Sequence, residues 1–336
     1  MTLRLLALAF ATLVPSAPIA QPAVQTALDG LEYPWDIEVS EDAFYITEKS
    51  GTLGTLRNGD FTRLPVITSE PILDDRGGGL LGLALHPDFA TNRLVVLYTH
   101  HGTPNERWNR VIEARLSDGA WRETRVLIDD IPGHPLYNGG RVAFGPDGML
   151  YITTGWTENR ERPQDLDSLA GKILRVRADG SVPTDNPFPG SPVWSLGHRN
   201  PQGLAWDDAG RLYAAEHGQS GHDEVNLIEP GGNYGWPLIQ GDEEAEGMRA
   251  PLAHSGGSTW APSGLGWDGD RLLVAGLRAE GLLALDPVSR EIANGIGIGE
   301  RIRDVVITRD EILAITTNRS PRREGPSEDR LIRIRR

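Results

Sequence analysis

Between Pro34 and the C-terminus the chain repeats one short unit six times, and this repetition limits its fold more than any other feature. Each unit is an apolar alternation, a turn of Asp, Asn or Gly type, and a second strand, the pattern of a β-hairpin. The copies are Pro34 to Thr47, Gly79 to His100, Gly139 to Gly155, Gly203 to Glu216, Ser263 to Leu277 and Arg301 to Asn318. The third is the cleanest, with Phe144, an Asp147-Gly148 turn and Tyr151. Units spaced by roughly forty to sixty residues, each with room for about four short strands, are the signature of a β-propeller. The expected fold is therefore all-β, a six-bladed propeller with four-stranded blades. The last strand, Leu331 to Ile334, is expected to pair into the blade that holds the first strands, which closes the ring and removes free edges.

Helical periodicity is weak; a single helical turn is expected at Leu166 to Ala170. The insertions His101 to Trp108, Trp156 to Asp167 and Ile239 to Ser258 are expected on one face, around a central channel where a ligand belongs. The first residues read as a secretory signal: Arg4 supplies the charge, LLALAFATLV the apolar stretch, and small residues follow to Ala20. That stretch is too short to span a membrane. We assign 1–20 to the leader, 21–336 to a single propeller domain, and the periplasm as the destination. The chain has no cysteine, so export brings no disulfides and stability rests on packing and on bound metal. A net charge of −14 repels a phosphate backbone, which excludes nucleic acid and leaves a small ligand or a divalent cation.

The segment Gly197 to Pro237 concentrates chemistry at strand ends. His198-Arg199-Asn200-Pro201 precedes a hairpin; Asp223, Glu224 and the run Gly231-Gly232-Asn233-Tyr234-Gly235-Trp236 follow it. His86, His198 and His217 stand between strand and turn and read as structural.

Several long motifs, in order, resemble one family. They are GLLGLALHPDF, GGRVAFGPDG, GHRNPQGLAW, DEVNLIEPGGNYGWP, WAPSG and RIRDV, spread over nearly the whole chain. They resemble the soluble quinoprotein glucose dehydrogenases and their aldose sugar dehydrogenase relatives. The resemblance implies a six-bladed propeller that uses pyrroloquinoline quinone (PQQ) and calcium to oxidise the C1 hydroxyl of an aldose sugar to a lactone. It implies an electron acceptor that the sequence does not identify, and a monomer or homodimer. It places Arg199 and Asn200 beside the quinone's reactive edge, and Arg278, Arg301 and Arg303 on its carboxylates. Guanidinium forks suit that task, because they bind carboxylate in pairs of hydrogen bonds. Calcium is implied at the carbonyls of Gly218 and Gln219, with a second site near Asp223, Glu224, the Tyr234 backbone and Glu244. Trp260 and Trp156 are the indoles expected to stack on a sugar.

Three positions depart from the family pattern. The imidazole expected to take the hydroxyl proton is replaced by Tyr137; phenols titrate near 10 and are poor bases at neutral pH. Gly77 stands where Gln or Glu is common, and Trp156 where an Asp ends the TTG motif. Three outcomes remain open: His134 reaches in from upstream, Tyr137 acts as a phenolate near Arg199, or the protein binds quinone or sugar without turnover. A calcium-dependent lactonase on a similar propeller is a further alternative, against which the arginine forks argue.

Overall fold

The computed structural model describes residues 23–40, 43–323 and 325–336, so the expected leader at 1–20 lies outside the described residues. After β1 (Val24–Leu31), the strands β2 (Pro34–Val39), β3 (Phe44–Glu48), β4 (Thr52–Arg57) and β5 (Asp60–Ile67) form an antiparallel meander. A second comprises β6 (Leu80–Leu85), β7 (Leu94–Thr103), β8 (Glu106–Ser117) and β9 (Ala120–Pro132). A third runs through β10 (Gly139–Phe144), β11 (Leu150–Thr154), β12 (Lys172–Val176) and β13 (Val193–Leu196). The fourth holds β14 (Pro201–Trp206), β15 (Leu212–Glu216), β16 (Glu224–Ile228) and β17 (Ala253–His254). The fifth holds β18 (Pro262–Trp267), β19 (Leu272–Gly276), β20 (Gly281–Leu285) and β21 (Ile292–Gly297). Finally β22 (Ile302–Ile307), β23 (Glu311–Thr316) and β24 (Asp329–Arg335) are completed by β1, which pairs with β24. The two chain ends therefore share one sheet, as the alternation of Leu331 to Ile334 predicted. A short parallel contact, Val66 with Trp121 and Ile67 with Arg122, fuses the first two meanders into one eight-stranded sheet.

The leading strands pack in the cycle β2, β6, β10, β14, β18, β22 and back to β2, which makes the whole propeller-like. Glycine permits this crowding: a Cβ on Gly203 would strike the Ser263 carbonyl of the neighbouring leading strand, and one on Gly82 the Gly140 carbonyl. Apolar side chains fill the space between meanders; one cluster joins Trp35, Leu81, Tyr98, Val142 and Ile152 across three of them. At the axis Arg141 of β10 pairs with Asp36 of β2 and, at 2.8 Å, with Asp304 of β22. Its Nε donates to the Gln202 carbonyl of β14 at 2.9 Å, while Asp36 accepts from Leu83 N of β6 at 2.8 Å. One guanidinium with two carboxylates thus ties five leading strands together.

Two local expectations are corrected. No helix forms at 166–170, because Asp165 Oδ1 takes the Asp167 amide (3.0 Å) and diverts the backbone into a turn. A 3-10 turn forms instead at Arg162–Gln164, where Pro163 presets the backbone angle. Most of His101 to Trp108 is not a loop either: β7 and β8 run long and keep pairing from His101 with Trp108 out to Thr103 with Glu106.

Candidate functional site

Proline or glycine opens several leading strands, and residues one or two positions before them gather at one end of the ring. Tyr33, Tyr137, Asn200, Ala261 and Arg301 lie just before β2, β10, β14, β18 and β22; Lys49, His217 and Leu277 lie just after β3, β15 and β19. All of these line a single cavity of about 300 Å³, with Trp35, Gln202, Arg278, Arg303 and Arg322. Two other hollows of about 700 Å³ lack such a convergence of charge. Lys49, Arg278, Arg301, Arg303 and Arg322 bring five cations to the cavity wall, and among the described residues no Asp or Glu lines it.

These cations are poorly satisfied by protein. Arg303 is buried and its named partners are neutral: Gln202 Oε1 at 3.1 Å and Ser263 Oγ at 3.4 Å. Burial lowers its guanidinium to about 10. Arg301 donates to the Leu277 carbonyl at 3.0 Å and is likewise lowered by burial. The Nε atoms of Arg301, Arg303 and Arg199 are buried without a partner. Lys49 differs, since its Nζ meets Asp74 at 3.3 Å and the Arg76 carbonyl at 2.7 Å; burial still lowers it to about 8. Buried donors without acceptors on a cationic wall are a site built for an anion with several acceptor oxygens.

Arg199 does not line this cavity. Its guanidinium sits behind Tyr137, 4.7 Å from that ring, 5.3 Å from Trp236 and 5.6 Å from Trp156. Trp156, where an Asp was expected, thereby supplies one wall of an aromatic cage for the cation. Neither Trp156 nor Trp260 lines the cavity; Trp156 is buried and Trp260 borders a separate hollow. The phenol and indole rings that line it are Tyr33, Trp35 and Tyr137. His134 is also held back. It stacks under Tyr137 at 5.4 Å and 6°, and its Nδ1 accepts from the amides of Leu136 (3.1 Å) and Tyr137 (3.3 Å). Burial lowers its pKa, and it is a brace for the loop rather than a cavity residue.

The same loop explains the missing side chain at Gly77. Gly77 N donates to the Pro135 carbonyl at 2.7 Å, and a Cβ there would lie 2.9 Å from both the Pro135 and Leu136 carbonyls. His217 was read as structural but lines the cavity; its Nε2 is buried without a partner, and burial lowers its pKa to about 4. Behind it Glu216 is a hub, accepting from His198 Nδ1 and Asn226 Nδ2 (both 2.9 Å) and from Arg199 N (2.7 Å).

The expected metal residues divide. Asp223 Oδ2 accepts from Thr259 Oγ1, Trp260 N and Ala261 N within 2.8 Å, and Oδ1 from Gly218 N at 2.9 Å. Its carboxylate is engaged by three backbone amides and one hydroxyl. Glu224 is raised to about 8 by burial and then by Glu216. It borders a void of about 10 Å³ with Tyr234, Gly218 and Gln240, whose Oε1 is unpartnered. Among the described residues no three His, Asp or Glu side chains group as metal ligands.

Fold and site together define a propeller-like protein that presents an arginine-lined anion site at the mouth of its ring. The family model for Glucose / Sorbosone dehydrogenase matches residues 31–326, and the chain belongs to that family. It is 36% identical over 258 residues to aldose sugar dehydrogenase YliI of Escherichia coli, covering 71% of this chain and 68% of that one. It is 35% identical over 208 residues to quinoprotein glucose dehydrogenase B of Acinetobacter calcoaceticus, covering 52% and 44%. The PQQ-bound aldose sugar dehydrogenase of Streptomyces coelicolor superposes with a TM-score of 0.83 at 33% identity, over 94% of this chain and 99% of that one. Among the described residues no helix is long and apolar enough to cross a membrane.

Proposed function

We propose that this protein is a periplasmic quinoprotein that oxidises the C1 hydroxyl of aldoses to lactones, on a six-bladed propeller counted by taking the eight-stranded sheet as two blades. The observation that carries this reading is the acid-free wall on which Arg278, Arg301 and Arg303 converge, the last two with buried, unpartnered Nε atoms. PQQ, a flat tricarboxylate, fits that donor set: Arg278, Arg301 and Arg303 would hold its carboxylates and Asn200 its edge. When bound, the quinone supplies a two-electron sink for the sugar, and the electrons pass on to an acceptor not yet identified.

The protein's own residues do the rest. Trp35 and Tyr33 wall the ring-shaped ligand, and the Arg303–Gln202–Arg141 chain of hydrogen bonds fixes the angle of the deepest guanidinium. Tyr137 stands where the sugar is expected, backed by Arg199. For calcium, the carbonyls of Gly218 and Gln219 remain our assignment beside the quinone; Glu224, the Tyr234 backbone and the unpartnered Gln240 Oε1 suit a second ion better than Asp223 does.

A second reading, quinone binding without turnover, is favoured by Tyr137 itself, whose hydroxyl is engaged by Arg322 at 3.1 Å and whose ring is covered by Arg199. A lactonase is disfavoured, because the cavity wall carries no carboxylate. Titration of the calcium-supplemented protein with PQQ, followed by aldose and a dye, separates the two. No spectral change on adding PQQ sinks both; saturation with dye reduction on adding sugar supports the dehydrogenase; saturation without it leaves the binding protein.

A further inference from the structure

The cavity holds one more cation than the quinone requires. Lys49 is engaged by Asp74, and the tricarboxylate would occupy Arg278, Arg301 and Arg303, which leaves Arg322. Arg322 comes from the turn after β23, closed by reciprocal backbone hydrogen bonds between Ser320 and Arg323 at 3.1 and 3.0 Å. Ser320, Pro321 and Arg322 all line the cavity, so the turn overhangs its mouth. Arg322 is exposed, and its Nη2 donates to the Tyr137 hydroxyl at 3.1 Å. No carboxylate partner for it occurs among the described residues. A guanidinium aimed over the phenol that faces the sugar, with donors to spare, is an unfilled carboxylate or phosphate fork.

We infer that the physiological substrate is an anionic aldose, a sugar bearing a carboxylate or phosphate away from C1, and that Arg322 is the residue that selects it. This rests on the quinoprotein reading of the same cavity. The chemistry at C1 is unchanged; the acid group stays intact and only binds. An anionic substrate also explains why a chain with a net charge of −14 keeps a wholly cationic mouth, since the local field draws in what the rest of the surface repels.

The test uses the full protein loaded with PQQ and calcium, and compares glucose, glucuronate and glucose 6-phosphate by dye reduction. Calorimetry with methyl glucuronide, blocked at C1, gives a binding readout without turnover. In the native protein at least one anionic sugar is expected to exceed glucose in kcat/KM by about tenfold, mostly through KM, with the advantage shrinking as salt rises. In Arg322→Gln the ratio is expected to collapse towards one and methyl glucuronide to bind about tenfold more weakly, with Arg322→Lys intermediate. Whether carboxylate or phosphate gains more distinguishes the two sources of charge. Equal use of charged and neutral sugars, or a preference that survives Arg322→Gln, overturns the inference. Failure of PQQ to bind is a different result and removes the quinoprotein reading instead. If PQQ binds and no sugar is turned over, the calorimetric comparison alone decides: undiminished methyl glucuronide binding in Arg322→Gln overturns the inference, and loss of binding supports it.

Discussion

Replacing Arg141 with methionine tests whether the axial ion cluster holds the ring together. Methionine approximates the length of the side chain but removes the hydrogen bonds to Asp36, Asp304 and the Gln202 carbonyl. Both acids are about as buried as the arginine, with side chains 3% and 5% exposed, so neither can recover water. Breaking a buried pair from one side costs about 3–5 kcal/mol. For a chain of this size that lowers the thermal midpoint by roughly 6–10 °C, at about 2 °C per kcal/mol. The pH dependence is the sharper signature. Burial raises Asp36 well above the ordinary carboxylate range, and Arg141 is the group that opposes this rise. A carboxyl raised in the folded state gives stability that is lost as pH climbs from its unfolded value to its folded one. Removing Arg141 raises Asp36 further and deepens that loss, so the gap between variant and native protein widens as pH rises past the folded value of Asp36 in the native protein, whereas at acid pH it stays constant. Chemical denaturation from acid pH upward is the assay. A loss below about 1 kcal/mol, or one that does not change with pH, refutes the reasoning.

Arg303→Met is expected to weaken PQQ binding by about tenfold to a hundredfold in spectral titration, while raising the thermal midpoint of the quinone-free protein, because a buried cation with only neutral partners is removed. A lower midpoint with unchanged affinity would show that Arg303 is structural. Tyr137→His is expected to raise aldose-dependent dye reduction at least tenfold by placing an imidazole at the cavity, within the usual range for a general base; no gain would mean that proton transfer is not what Tyr137 limits. Glu216→Gln puts an amide NH₂ among the donors of His198, Asn226 and Arg199 and is expected to cost about 1–3 kcal/mol in denaturation. If stability holds, Glu216 is not the hub described here.

How far the sequence disclosed this site follows from what kind of information each residue carried. The hairpins were legible because alternation and turn chemistry are local, and β2/β3, β10/β11 and β14/β15 fall where the apolar pattern placed them. Arg278, Arg301 and Arg303 were found through motifs, and closure of the ring brings them to one wall. Tyr33 and Lys49 were missed, although a signal existed. Tyr33-Pro34 stands before β2 as Asn200-Pro201 stands before β14, and Lys49 follows β3 as His217 follows β15. Aligning the repeats to one another, rather than to a family alone, would have placed all four at the same end of the ring. Arg322 carried no such signal, since a basic residue in a Ser-Pro-Arg-Arg turn reads as a solvated loop until the ring closes and swings it over Tyr137. Three other expected site residues do not line this cavity, and the cause is different. Trp156, Trp260 and Asp223 were judged by type, an indole for sugar and an acid for metal, but the neighbours of each decide its task. Asp223 meets four protein donors and Trp156 packs against the Arg199 guanidinium, contacts made across the fold that residue type alone does not announce.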